Sequence, residues 1–378
     1  MTTLLQRPAS DWAAIGGLDT AQEIAQQPAM WRQLACILQA DTARLQAFLG
    51  RCLDDPRQHV ILTGAGSSAY VGQIAAAELD RQWPARVSAI ATTSMLTHPE
   101  HYLDANVPTL LVSFARSGDS PESLAAVDLV RAQVPNARFL HITCNPDGQL
   151  AGRAVGADDS LTLLMPAASC DKGFAMTSSF TCMLLAALCA LGAPGSAERL
   201  HKLADLGDLA LENWSAPLAN LATTSFDRVI YLGSGPLEGL AREAALKLLE
   251  LTGGSVLALP ETPLGFRHGP KAVLSASTLV VQFRSTQELA RRYEDDLMTE
   301  LRRDGIAGRC VSVGVAGDLA LDAPAWPDAW LAPAWLLMAQ MYSLLRSAQL
   351  GRRPDNPFAD GSVNRVVRGV TIYNAHHG

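Results

Sequence analysis

An apolar run ending in Gly-x-Gly occurs twice in this chain, 169 residues apart (59 to 228). The first is His59-Val-Ile-Leu-Thr-Gly64-Ala-Gly66 and the second is Arg228-Val-Ile-Tyr-Leu-Gly233-Ser-Gly235. Each leads into a helical stretch, Ala-rich to Leu79 in one case and reaching Leu251 in the other. Thr109-Leu-Leu-Val-Ser-Phe114 and Thr278-Leu-Val-Val-Gln-Phe283 form a second pair at the same offset. A third pair, around Phe139-Leu-His-Ile-Thr143 and Cys310-Val-Ser-Val-Gly314, is displaced by about two residues, as a loop insertion would do. These matches define two tandem copies of one domain. In each copy, short β-branched runs without polar alternation are interleaved with helical segments, the pattern of a parallel sheet covered by helices on both faces. The expected fold class is therefore α/β, with two such sheets in tandem.

The repeat divides the chain into an N-terminal helical region (1–52), a first domain (53–200), linker helices with a second domain (201–350) and a tail (351–378). The tail opens on the breaker cluster Gly351-Arg-Arg-Pro-Asp-Asn-Pro357 and continues as Val363-Asn-Arg-Val-Val-Arg-Gly-Val-Thr-Ile372. Composition excludes several partners. Of 378 residues, 48% are hydrophobic and 18% charged, which suits a buried core and not disorder. With 30 Lys+Arg against 37 Asp+Glu, the net charge of −7 argues against nucleic acid or an anionic membrane held by bulk charge. A small anion needs only a local positive site. Seven scattered cysteines with no CxxC pair indicate neither a disulfide framework nor a zinc ribbon. Met1-Thr-Thr-Leu-Leu-Gln-Arg-Pro8 lacks the features of a signal peptide, and the longest apolar stretch, Phe180–Gly192, is too short to span a bilayer. A soluble, cytoplasmic protein is expected.

Gly-x-Gly lets a strand turn tightly into a helix whose free N–H groups can meet an anion. A dinucleotide site would need a third glycine, but the copies read Gly64-Ala-Gly66-Ser67-Ser68-Ala69 and Gly233-Ser-Gly235-Pro236-Leu237-Glu238. Neither has the acidic residue about 20 positions further on. No nicotinamide or flavin is expected.

Three segments carry residues suited to chemistry. Ser113-Phe-Ala-Arg116-Ser117-Gly118-Asp119-Ser120-Pro121-Glu122-Ser123 follows a strand and opens a helix. Hydroxyls and N–H groups converging there make a phosphate cradle, although Ser120 alone would read as a helix cap. Ala175-Met-Thr177-Ser178-Ser179-Phe-Thr181 offers a second hydroxyl cluster, either another cap or a second wall formed by Thr177 and Ser178. In Ala241-Arg-Glu243-Ala-Ala-Leu-Lys247-Leu-Leu-Glu250-Leu251, the residues Glu243, Lys247 and Glu250 fall at i, i+4 and i+7 on one helix face. By itself that face also fits a solvated salt-bridge row. Pro260-Glu-Thr-Pro-Leu-Gly-Phe-Arg267-His268-Gly269-Pro270-Lys271 sets a histidine, the side chain that titrates near neutrality, in a Pro/Gly-bounded loop.

Taken in order, these segments resemble the sugar isomerase (SIS) family in its tandem, two-domain form. They are nearest to its galactosamine-6-phosphate deaminase/isomerase branch, and more distantly similar to the isomerase half of glucosamine-6-phosphate synthase. The phrases that carry the likeness are Leu62-Thr-Gly-Ala-Gly66, Ser113 to Ser123, Gly173-Phe-Ala-Met-Thr-Ser-Ser179, Ala244-Ala-Leu-Lys-Leu-Leu-Glu250, Gly265-Phe-Arg-His-Gly-Pro-Lys271 and Val363 to Gly369. The resemblance implies that Ser67 and Ser68 form the hydroxyl-bearing turn and that Ser117 and Ser120 hold the sugar phosphate. Arg116 stands where the synthase has glutamine, and Ala115 where it has another phosphate-binding serine. Lys247 and Glu250 match the active-site lysine and the proton-transferring glutamate. His268 matches a ring-opening histidine lent across a dimer interface, and Arg368 falls where the synthase has its Schiff-base lysine.

The implied reaction opens the ring of galactosamine 6-phosphate, moves a proton from C2 to C1 and hydrolyses the resulting imine to tagatose 6-phosphate and ammonia. A guanidinium at 368 is a poor imine former. No glutaminase segment precedes the first domain, and no metal or organic cofactor is implied. The alternatives are deamination of glucosamine 6-phosphate, plain ketose/aldose isomerisation of a phosphosugar, or a non-catalytic sugar-phosphate sensor. A homodimer or higher homo-oligomer with shared sites is the implied assembly.

Overall fold

In the computed structural model of the chain, residues 3–193, 195–367 and 369–373 are described. A short hairpin (β1, Thr3–Leu4; β2, Arg7–Pro8) precedes helices α1 (Ala9–Ala14), α2 (Leu18–Ala25) and α3 (Gln27–Leu49). The first domain runs β3 (His59–Thr63), α4 (Ser67–Asp80), β4 (Arg86–Ala89), α5 (Thr92–Thr97), β5 (Thr109–Ala115), α6 (Pro121–Gln133), β6 (Ala137–Thr143), α7 (Gln149–Gly152), β7 (Ser160–Leu164) and α8 (Ser178–Ala190). After α9 (Arg199–Thr223), the second runs β8 (Arg228–Leu232), α10 (Pro236–Leu251), β9 (Leu257–Glu261), α11 (Pro263–Phe266), β10 (Thr278–Phe283), α12 (Glu288–Asp304), β11 (Arg309–Gly314), β12 (Leu319–Ala320) and α13 (Asp328–Gln349).

Both five-stranded sheets are wholly parallel and share one topology, β4-β3-β5-β6-β7 in the first and β9-β8-β10-β11-β12 in the second. The two-domain α/β expectation holds down to register. His59 pairs with Thr109 as Arg228 pairs with Thr278. The displaced third pair is also structural: Leu111 faces Phe139, whereas Val280 faces Cys310. β3, β5 and β10 are buried at every residue, which is why they read as unbroken apolar runs.

The repeated glycines are required in pairs. A Cβ at Gly64 would sit 2.5 Å from Ser68 Cβ, and one at Gly233 would sit 2.0 Å from Leu237 O. Gly66 and Gly235 both have φ of +56°, a left-handed conformation costly for other residues.

Where the halves meet, α4 lies on α10, and Gly239 permits the approach, since a Cβ there would come within 2.9 Å of Ile74 Cγ1. Gln73 Oε1 accepts from the Arg242 guanidinium at 3.1 Å. These two residues are 169 apart, so equivalent positions of the two copies touch, as they do across a local two-fold axis. Helices α3, α8, α9 and α13 enclose one apolar core shared by both halves, with Trp31, Trp214 and Trp335 inside it. In each sheet the order reverses between the first and third strands. At such a switch point, beyond the carboxyl ends of the strands, a crevice opens. In the first domain that crevice lies after β3 and β5. No helix of the described residues is long and apolar enough to cross a membrane.

Candidate active site

A cleft of about 500 Å³ occupies this crevice. Its floor is Gly66, Ser67 and Ser68 at the head of α4 with Arg116, Ser117 and Ser120 after β5; Glu250 of α10 and residues 363–367 of the tail close its sides. Gly118, at φ +74°, turns the chain between Ser117 and Ser120. Ser120 stands at the N-cap of α6, but its hydroxyl makes no capping bond and donates instead to Glu122 Oε2 at 2.7 Å. Pro121 brings no N–H to the first turn of α6, and Ser123 N and Leu124 N donate to Ser120 O at 3.1 and 3.2 Å, so the hydroxyls and Arg116, more than the helix N-terminus, face the cleft.

Arg116 supplies the positive charge. Its side chain is buried, and the guanidinium donates to main-chain carbonyls only: Gly173 O at 3.3 Å, Phe174 O at 3.1 Å and Arg365 O at 3.1 Å. It makes no ion pair with a carboxylate of the described residues. Arg365 donates in turn to Gly173 O and Asp171 O. Burial, and next the charge of Arg365, push the Arg116 pKa below its ordinary value. A buried guanidinium without a carboxylate is a candidate receptor for an external anion, through the N–H groups its three carbonyl partners leave over.

Across the cleft, Lys247 is fully buried. Its ammonium donates to Glu250 Oε2 at 2.5 Å and to Ser67 Oγ at 3.1 Å, and lies 3.3 Å from Glu243 Oε1. Ser67 Oγ donates to Glu243 Oε1 at 3.1 Å. Burial alone would depress Lys247, but Glu243 and Glu250 outweigh it and hold its pKa above the usual lysine value. Burial pushes Glu243 up to about 7 against the pull of Lys247. Glu250 takes the short contact with the ammonium, and Glu243 the longer one. The i, i+4, i+7 face is thus no solvated row. It is an internal ion cluster with one carboxylate, Glu250, open to the cleft.

The second hydroxyl wall is corrected. Thr177 and Ser178 are fully buried behind the cleft. Thr177 Oγ1 donates to Asp171 Oδ1 at 2.9 Å, and Ser178 Oγ donates to Glu23 O at 2.6 Å and accepts from Gln26 at 3.0 Å. Asp171 also takes the N–H groups of Thr177, Ser178 and Ser179, so this cluster serves the start of α8. His268 is exposed on the loop after α11 and does not line the cleft of its own chain. Arg368 lies outside the described residues. Sequence reasoning left Glu243 and Arg365 out of the site. The helical spacing already placed Glu243 beside Lys247, and Arg365 lies within the phrase Val363 to Gly369 that carries part of the likeness.

The second copy shows why one cleft serves two domains. The positions equivalent to Arg116 and Ser117 are Ser285 and Thr286, and their donors are already taken. Asp328 accepts from Ser285 Oγ at 2.5 Å, from Thr286 N at 2.7 Å and from Thr286 Oγ1 at 2.9 Å, while Glu294 accepts from Ser285 N at 2.9 Å. Glu294 is fully buried at the position where the first copy has Ala125.

Residues 53–192 match the model of the SIS domain. An AgaS relative from Streptomyces coelicolor is 47% identical over 369 residues, covering 94% of this chain and 95% of its own. The D-galactosamine-6-phosphate deaminase AgaS of Shewanella sp. (strain ANA-3) is 41% identical, over 95% of this chain and 92% of its own. The crystal structure of tagatose-6-phosphate ketose/aldose isomerase from Escherichia coli superposes with a TM-score of 0.88 at 38% identity, covering 95% of this chain and 97% of that one.

Proposed function

Because this chain belongs to the AgaS family of SIS-domain proteins, we propose that it deaminates galactosamine 6-phosphate to tagatose 6-phosphate and ammonia. The observation that carries this reading is the pairing, in one cleft, of a carboxylate held by an ammonium (Glu250 with Lys247) and a buried guanidinium lacking a carboxylate (Arg116).

The phosphate binds Arg116, Ser117 and Ser120, with Ser67 and Ser68 closing the floor. That remote binding energy sets C1 and C2 of the open chain against Glu250. His268 of a second copy of the chain opens the ring, which suits its exposure here and makes the working unit at least a dimer. Glu250 takes the C2 proton and returns it to C1 through an enolamine. Lys247 steadies the oxygen that gains negative charge. Water then adds to the C2 imine, and ammonia leaves with the ketose phosphate as the other product. The C1 carbonyl takes up the electron pair freed at C2, and the amine nitrogen forms the C2 imine as C1 is reprotonated, so these residues complete the proton transfers themselves. A phosphorylated sugar does not cross membranes unaided and stays where it is made, which supports a reaction in the cytoplasm.

Plain isomerisation is the second reading, favoured by the isomerase name of the Escherichia coli structure. Ammonia release measured with galactosamine 6-phosphate, glucosamine 6-phosphate and unphosphorylated galactosamine separates the two. Fast release from the first alone is expected; ketose formation without ammonia would overturn the deaminase reading.

A further inference from the structure

We propose that Glu23, on α2 and outside both sheets, is a positioning residue that aims Arg116 into the cleft by holding the loop 171–174. The inference rests on Arg116 being the phosphate anchor. Glu23 Oε1 accepts from Lys172 N at 2.5 Å and from Gly173 N at 3.2 Å, and Oε2 accepts from Gly173 N at 3.3 Å. The next groups along that same backbone, Gly173 O and Phe174 O, receive the Arg116 guanidinium. One short run of main chain therefore has its N–H groups on Glu23 and its carbonyls on Arg116.

The loop is pressed onto α2 closely enough to demand glycine. A Cβ at Gly173 would lie 2.8 Å from Thr20 Oγ1 and 2.9 Å from Glu23 Oε2. The tail grips the loop from the other side: Phe174 N donates to Asp355 O, and the Asp355 carboxylate takes Thr20 N and Thr20 Oγ1 at 2.8 and 2.7 Å. The carboxyl is costly where it stands. Burial, and then the nearby Asp171, push its pKa up to about 8, with Asp19 adding to the rise. An apolar residue would fill this space without that cost, so what the site needs is the oxygens of Glu23.

The test compares kcat and KM for galactosamine 6-phosphate, and calorimetric binding of inorganic phosphate, in the wild type, Arg116→Ala, Glu23→Ala and Glu23→Gln. Glu23→Ala should raise both KM and the phosphate Kd roughly tenfold with kcat within about twofold, the size of a lost buried hydrogen-bond pair. Glu23→Gln retains the Oε1 acceptor and should restore both constants. If Glu23→Ala does not fold, Glu23→Asp replaces it, being one methylene too short to reach the loop. An unchanged phosphate Kd in Glu23→Ala, a parallel loss of kcat, or a Glu23→Gln protein no better than Glu23→Ala would overturn the inference while leaving the function standing. An unchanged KM in Arg116→Ala would overturn the phosphate-anchor reading and this inference with it.

Discussion

Lys247 Nζ, on the first helix of the second domain, donates to Ser67 Oγ at the head of the first helix of the first domain, 3.1 Å away. The cleft is therefore cut by the seam between the copies. The loop of Arg116, Ser117 and Ser120 belongs to one half and the cluster of Glu243, Lys247 and Glu250 to the other, so neither domain alone assembles the cleft. The pairing also ties the chemistry to stability, because the ion cluster lies in the packed contact of α4 with α10.

Glu250→Gln should lower kcat by about 10²–10⁴-fold and leave KM nearly unchanged, since the amide keeps the shape but accepts no proton. Steady-state ammonia release checks this. More than a tenth of wild-type activity would remove Glu250 from the role.

Arg116→Ala should raise KM for the phosphosugar by roughly ten- to a hundredfold, in line with about 1.5–3 kcal/mol for a hydrogen bond to a charged group. Turnover of unphosphorylated galactosamine, already poor, should not change. A proportional loss on both substrates would show that Arg116 does not read the phosphate.

Lys247→Met strands two carboxylates and should cost about 3–5 kcal/mol in urea unfolding, the usual penalty for breaking a buried pair from one side. Adding Glu243→Gln to Lys247→Met should recover part of that loss, because the amide needs no counter-charge. Absence of recovery would mean that the two side chains do not act as a pair.

Stability should fall as pH rises from about 6.5 to 8. The folded Glu23 carboxyl, at about 8, keeps a proton that the unfolded chain has already released, so each pH unit in this window costs on the order of 1 kcal/mol. Glu243, at about 7, acts with the same sign over the lower part of the window. The buried histidines His59 and His141, lowered to about 4, affect stability only below their unfolded values. Thermal unfolding of Glu23→Gln across this range should give a flatter profile. An identical slope would contradict the assignment.

A His268→Ala protein mixed with a Glu250→Gln protein should regain part of the activity once subunits exchange, because one hybrid site then holds both intact residues. Exchange demonstrated by labelled subunits without any recovery would count against shared sites.

The amino-acid sequence determined by itself what depends on near neighbours along the chain. The duplicated strands, the paired glycines and the face joining Glu243, Lys247 and Glu250 follow from residue spacing, because helix and strand periods are set by backbone geometry that every residue shares. What side chains across the molecule do was decided only on folding. Thr177 and Ser178 look as ligand-ready as Ser117 and Ser120, but Asp171 and Glu23 reach them first and turn them inward. Ser285 and Thr286 follow the same strand as Arg116 and Ser117, and Asp328, some forty residues on, saturates their donors. Arg365 joins Arg116 across 249 residues of chain. A hydroxyl or guanidinium can serve a ligand only with the donors and lone pairs that distant partners in the fold leave over, and a one-dimensional pattern carries no record of which partners arrive.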